Sequence, residues 1–171
     1  GIPKLKEEKS FSVSGGFTAN FGKFKATVDG YFIRIDDRII YTGQFKGDNS
    51  ANASEQDKEI YQLLNQVGAS SARFFANAID TETKGIDAVL TYQDQIGKGN
   101  LRVDLAGTFS KTNIVGDVHS STILAGKESS YLDRASRIYI ESATPRVKVN
   151  LGINYSLDKW SFLVRNVYFG S

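Results

Sequence analysis

Few residues in this chain have the types and spacing for chemistry. His119 is the only histidine, so no His–His metal pair exists and a Ser-His-Asp triad has only this imidazole to use. Its neighbours Val118, Ser120 and Ser121 read as a loop, where a histidine is simply solvated. Asp36-Asp37-Arg38 offers two adjacent carboxylates for acid–base work. Neighbours in a strand project to opposite faces, so the two acids diverge. Asp48, Asn49, Asn52 and Glu55 present oxygen ligands of the kind calcium takes, yet without the EF-hand spacing. A turn followed by a helix cap explains the same residues. Asn52-Ala53-Ser54 is formally a glycosylation sequon. Gly15-Gly16 and Gly97/Gly99 fall in strand and turn, not in a phosphate-cradling loop. The chain has no Cys, which removes disulfides and thiolate metal sites. These residues assign no catalytic group, no metal and no cofactor, and the chain reads as a non-enzyme.

The elements that hold them are β-strands with two unlike faces. From Val147, the odd positions Val147, Val149, Leu151, Ile153 and Tyr155 are apolar, and the even ones are Lys148, Asn150, Gly152 and Asn154. Strict alternation marks a strand with different solvents on its two sides. A four-residue turn over Ser156–Lys159 is expected, followed by a return strand with Trp160, Phe162, Val164 and Tyr168 on one face. Trp and Tyr at the turn end suit a membrane interface.

The same pattern recurs upstream. Ser10–Asn20 alternates Phe11, Val13, Phe17 and Ala19 against Ser10, Ser12, Ser14 and Thr18. After a turn at residues 20–23, Phe24–Tyr41 alternates as far as Phe32, beyond which charge and Ile mix on both faces. That part is expected to enter a protein-covered rim. Residues 42–72 are loop chemistry around a short amphipathic helix, capped by Ser54 with Asp57 and carrying Ile60, Leu63, Leu64 and Val67. A third strand spans about Phe74 to Gln93, a Gly- and Asn-rich turn residues 93–100, and a fourth strand Leu101–Ser110. A second long connection, Asn113–Thr144, is expected to hold a helix over Tyr131–Ile140 with Ser130 and Asp133 as its cap pair. Connections of this length are often functional.

At 171 residues and net charge +2, the default is one domain without the field that draws nucleic acid. No apolar run reaches the roughly 18 residues of a membrane helix, and the start resembles no signal peptide. Gly1 reads as a cloning remnant and the chain as an excised piece. Its fold class is all-β: an antiparallel six-stranded meander, part of a transmembrane β-barrel, with short helices in two long loops. Short turns on one rim, long loops on the other and a girdle of Phe17, Phe21, Phe24, Tyr92, Tyr155 and Trp160 fit an outer-membrane barrel. A soluble all-β binding module, with the apolar faces forming an ordinary core, fits the same periodicity.

Four stretches carry a resemblance. LKEEKS (residues 5–10) resembles the "LKPE-(K/S)" start of a late barrel strand in TonB-dependent outer-membrane receptors, with Glu7 where the motif has Pro. GYFIRIDDRI (Gly30–Ile39) resembles that family's "Y-x-I-x-x-x-DRI" strand exit. NAIDTETKGIDAVLTY (Asn77–Tyr92) resembles its "KG-(V/I/L)-(D/E)" strand through Lys84-Gly85 and Asp87. ATPRVKVNLGINYSLDKWSFLVRNVYFG (Ala143–Gly170) is similar to a barrel hairpin. The four follow the family's order.

The resemblance implies a segment of roughly a quarter of a barrel of about 22 strands, from its later half. It carries neither a plug domain nor a TonB-engaging motif. The parent would sit in the cell outer membrane, bind a scarce nutrient (ferric siderophore, cobalamin, haem or glycan) and import it with energy from TonB. Its partners would be the plug, the remaining barrel strands, TonB, outer-membrane lipid and the small nutrient ligand, with no nucleic acid. Residues 42–72 and 113–144 would lie on the extracellular face, where His119 is open to ligating haem iron. Lys25, Asp29, Arg102, Asp104, Lys148, Asn150 and Arg165 would line the lumen or contact the plug, or brace the wall as cross-strand pairs. Alone, the piece is expected to make oligomeric contacts through its apolar face or free edges.

Overall fold

The structure, a computed structural model, describes residues 4–170, without the side chain of Ile123. Gly1 and Ser171, which bear on the reading of the termini, lie outside the described residues. Six strands form one sheet: β1 (Lys9–Phe21), β2 (Phe24–Tyr41), β3 (Phe75–Ile96), β4 (Gly99–Val115), β5 (Val147–Leu157) and β6 (Trp160–Gly170). Their spatial order is their sequence order, an antiparallel meander as expected. Helix α1 (Glu55–Gln66) lies in the connection from β2 to β3. A 3-10 turn (Thr122–Leu124), α2 (Glu128–Tyr131) and α3 (Arg134–Ser142) lie between β4 and β5.

The strands run further than local pattern indicated. Leu157 pairs with Trp160, so the last turn is Asp158-Lys159 alone and not the four residues expected. Gly22-Lys23 and Gly97-Lys98 are equally short. Ladder pairing overrides the loop-like composition of residues 93–100. Each turn opens on a positive φ: Gly22 at 59°, Gly97 at 63° and Asp158 at 50°. Glycine takes that region freely and Asp tolerates it.

The first helix is built as its sequence suggests. The Ser54 hydroxyl accepts from the Asp57 amide (3.1 Å), and Gly68 at φ 68° follows its end. The second connection differs from expectation. Asp133 caps α3 by accepting from the Ser136 amide at 2.7 Å, whereas the Ser130 amide donates to the Lys127 carbonyl. Leu132, at φ −129° and ψ 89°, is extended and separates α2 from α3. The continuous helix over Tyr131–Ile140 is therefore replaced by two.

Two compact units divide the chain. The first holds the N-terminal stretch to Ser10, Arg34–Glu82 and Asn113–Ile140. Both long connections meet here on a core of Ile40, Phe45, Ala78, Ile79, Tyr131 and Leu132. Phe45 stacks on Phe74 (5.2 Å) and meets Tyr131 edge-on (5.2 Å). Outside that core, Lys127 Nζ bridges to Asp57 Oδ1 at 2.6 Å. The stretch of β2 where alternation fails is half-buried here.

The second unit holds Phe11–Ile33, Thr83–Thr112 and the stretch from Glu141. None of the buried apolar residues found among the described residues belongs to it. In register, Val103 faces Ile153, Leu105 faces Leu151, and Ile153 faces Val164, so the apolar sides of β4, β5 and β6 align. That aligned face stays open, with Leu105 43%, Leu151 37% and Trp160 70% exposed. On the other face, Gly85 lies directly beneath the Tyr31 ring, leaving no room for a Cβ.

Candidate functional site

Period-two strands place all seven candidate site residues in the second unit, and most of them share the polar face. Arg102 pairs with Asn154 and Asp104 with Gly152, while Gly152 is also opposite Arg165. Arg102 Nε and Nη2 donate to the two oxygens of Asp104 at 2.7 and 3.0 Å, a bidentate fork. The Thr91 hydroxyl donates to the same carboxylate at 2.7 Å. Arg102, Asp104, Asn150 and Arg165 are thus brought together along a groove of about 580 Å³, with Asn154 and Leu163.

The other three stand apart from that groove. Lys25 lines a neighbouring hollow of about 670 Å³ with Lys23, Thr27, Thr91 and Arg102. Asp29 covers Gly16, where a Cβ would collide with its carboxylate. Lys148 extends its ammonium over the Phe169 ring at 5.5 Å. Phe169, Val167 and Leu163 carry apolar surface onto this face, because β6 is apolar on both sides.

The opposite face ends in aromatic rings near the turns. Phe24 pairs with Phe21 (5.7 Å) and Tyr92 (4.9 Å), and Trp160 stacks with Phe162 (6.5 Å). The Tyr155 hydroxyl donates to the Ile96 carbonyl at 3.1 Å. From Phe24 to Phe32, and from Leu101 to Phe109, this face runs through rows of apolar or small residues, each row spanning about the nine residues that a tilted membrane strand needs.

The first unit contains a polar cluster that the sequence did not reveal. Arg34 bonds Asp36 (2.7 Å) and Glu82 (3.2 Å). His119 stands between Asp37 (Nδ1, 3.3 Å) and Asp80 (Nε2, 3.7 Å), instead of being merely solvated. Asp37 has a φ of 55°, its amide donates to Asp80 Oδ1 (2.9 Å), and Asn77 Nδ2 donates to its carbonyl (2.6 Å). Asp36 and Asp37 therefore serve different partners, as divergence implied. A hollow of about 390 Å³ beside them is lined by Asn77, His119, Ser120, Ser121 and Tyr131. Residues 37, 80 and 119 are far apart in sequence, and only the Ile–charge mixing near Asp36 signalled that this stretch was unusual.

At the candidate calcium residues, Asp48 accepts from the Ser50 amide (2.8 Å) and Glu55 pairs with Lys58 (2.9 Å), the bonds of a turn and a helix start. No cluster of three or more His, Asp or Glu with metal-ligand geometry occurs among the described residues.

The model of the TonB dependent receptor-like, beta-barrel family matches residues 1–171, the whole chain. The chain belongs to the TonB-dependent receptor-like β-barrel family. No curated protein matches it. TonB-dependent receptors are outer-membrane proteins that act as receptors and transporters, not as enzymes. They work in general with a plug domain, TonB and a ligand. No helix among the described residues is long and apolar enough to cross a membrane. In a TonB-dependent receptor barrel the strands do the crossing.

Proposed function

We propose that this chain is a wall segment, residues 1–171, of an active-transport receptor in the cell outer membrane. Its parent binds a scarce nutrient (a ferric siderophore, cobalamin, haem or a glycan) and imports it with energy from TonB. The observation that carries this reading is the pair of unlike faces in the second unit. One is open and apolar over nine-residue rows, and the other holds the Arg102–Asp104 fork, Asn150 and Arg165.

Hydrocarbon is the solvent that makes such an open apolar face stable, since each buried CH₂ contributes about 0.8 kcal/mol. The polar face, with Lys25, Asp29 and Lys148 added, lines the lumen or meets the plug. Arg102 and Asp104, already satisfying each other, brace the wall more than they recognise a ligand. The loops over residues 42–72 and 113–144 lie on the extracellular side and contribute to capture.

Uptake decides the matter. Cells expressing the full-length parent should accumulate one of the four radiolabelled nutrient classes, and the signal should vanish when TonB is deleted. Uptake that persists without TonB, or a parent that stays in the soluble fraction, overturns the reading; the second result would favour a soluble all-β binding module.

A further inference from the structure

A groove on the apolar face borders a matched pair of charges. It has a volume of about 780 Å³ and lies wholly within the second unit. Leu90, Val103, Leu105 and Leu151 give it aliphatic walls, and the rings of Phe24 and Tyr92, 4.9 Å apart, add an aromatic one. Lys23 of the first turn also borders it.

Period-two geometry puts Asp94 on the same face as Leu90 and Tyr92, one step nearer the β3–β4 turn. Lys23 Nζ bridges to Asp94 Oδ1 at 2.6 Å. The Gln95 amide donates to the same oxygen at 2.8 Å, and the Tyr92 hydroxyl donates to Oδ2 at 2.7 Å. A carboxylate offers about four lone-pair sites, so Asp94 keeps capacity for one more donor. The Lys23 side chain is 59% exposed, and Asp94 engages one of its three ammonium donors. A positive and a negative group thus stand side by side next to an apolar groove. Their charges cancel, which leaves little net attraction for a simple anion. A headgroup carrying both signs answers both partners, phosphate to Lys23 and ammonium to Asp94.

We propose that this groove holds an acyl chain of a phospholipid, and that the Lys23–Asp94 pair selects a zwitterionic headgroup in which a phosphate is joined to a primary ammonium. The proposal rests on the outer-membrane reading above, with the short turns on the side opposite the long loops, and adds the lipid class. The groove's size lies within the roughly 300–1,000 Å³ of small-molecule sites. A quaternary ammonium has no N–H to donate to Asp94. An anionic headgroup without an amine sets its phosphate beside the Asp94 carboxylate with nothing to offset the repulsion. A soluble headgroup without chains gains nothing from Leu90, Leu105 and Leu151.

The test uses the full-length parent, purified from outer membrane in mild detergent and stripped of lipid, with binding followed by native mass spectrometry. The probes are phosphatidylethanolamine, phosphatidylglycerol and phosphatidylcholine with identical acyl chains, and glycerophosphoethanolamine as the headgroup without chains. Wild type should hold phosphatidylethanolamine about fivefold more tightly than either other lipid, the scale of one exposed ion pair. Lys23→Gln should weaken phosphatidylethanolamine binding. Asp94→Asn should turn the preference to phosphatidylglycerol, because the Lys23 ammonium then stands without its carboxylate. Lys98→Gln, in the neighbouring turn, should keep the wild-type ranking. Circular dichroism on the same samples reports whether the variants keep their strands, and the wild-type ranking decides without any variant. In a parent that fractionates with outer membrane, three results overturn the lipid site alone: no preference for phosphatidylethanolamine, an unchanged ranking in folded Asp94→Asn, or full displacement of lipid by millimolar glycerophosphoethanolamine. A parent that does not fractionate with outer membrane overturns the transport-receptor reading and the lipid site together.

Discussion

At the scale of single residues, packing and charge decide different things in the two units. Ile79 is fully enclosed in the core of the first unit. Its replacement by Ala should cost about 2–5 kcal/mol, because the cavity has no room to collapse, and denaturant unfolding of the parent would measure it. Gly85 is fixed by contact, not by backbone conformation. A side chain there must displace the Tyr31 ring, so Gly85→Val should destabilise by about 1–3 kcal/mol in the same assay.

Asp57 supplies a pH dependence. The Lys127 ammonium, then the Ser54 hydroxyl, hold its carboxyl below the usual carboxylate range. A depressed value means the contact contributes above the unfolded value, near 3.9, and is lost as pH falls through the folded one. Asp57→Asn should therefore raise proteolytic cleavage within residues 42–72 at pH 7, while below both values the variant and wild type should be cut alike by an acid-active protease. A wild type whose loop is equally protected at both pH values would contradict the role of this pair.

At the scale of elements, alternation made the strands and their order legible. Val147–Tyr155 and Leu101–Phe109 each announce a two-faced strand, and the register then lays their apolar sides together. Strand ends were less legible. Ile96 and Leu157 sit beside turn residues, and only pairing across the hairpin keeps them extended. The β6 faces were half legible: Trp160, Phe162 and Val164 predict one side, but the ladder also places Asn166 there, opposite Leu151. The break at Leu132 and the His119 cluster depend on contacts among the long connections, which no local pattern encodes.

The turns give an element-scale prediction. Asp158 bears a left-handed φ that glycine adopts without strain. Asp158→Gly should leave stability unchanged or raise it by up to about 1 kcal/mol, and Gly97→Val should lower it by about 1–2 kcal/mol. Thermal unfolding of the detergent-solubilised parent distinguishes the two directions.

At the scale of the whole molecule, family membership and the two-faced sheet point the same way. A TonB-dependent receptor barrel needs strands that are apolar outside and hydrated inside, and the second unit has strands with one apolar and one polar face. Lys148, Asn150, Asp104 and Arg102 alternate in sequence with Val149, Leu151, Leu105 and Val103, so a one-residue step moves a side chain from one face of the sheet to the other.

Because the chain has no cysteine, that step can be read directly in the parent, in a background without other thiols. Single cysteines placed at Leu105, Leu151, Asn150 and Lys148 are exposed to a membrane-impermeant maleimide in isolated, permeabilised outer membranes. Asn150→Cys and Lys148→Cys should label, whereas Leu105→Cys and Leu151→Cys should stay dark until detergent strips the lipid. Rapid labelling of Leu105→Cys and Leu151→Cys in intact membranes, with Asn150→Cys and Lys148→Cys protected, would contradict the account.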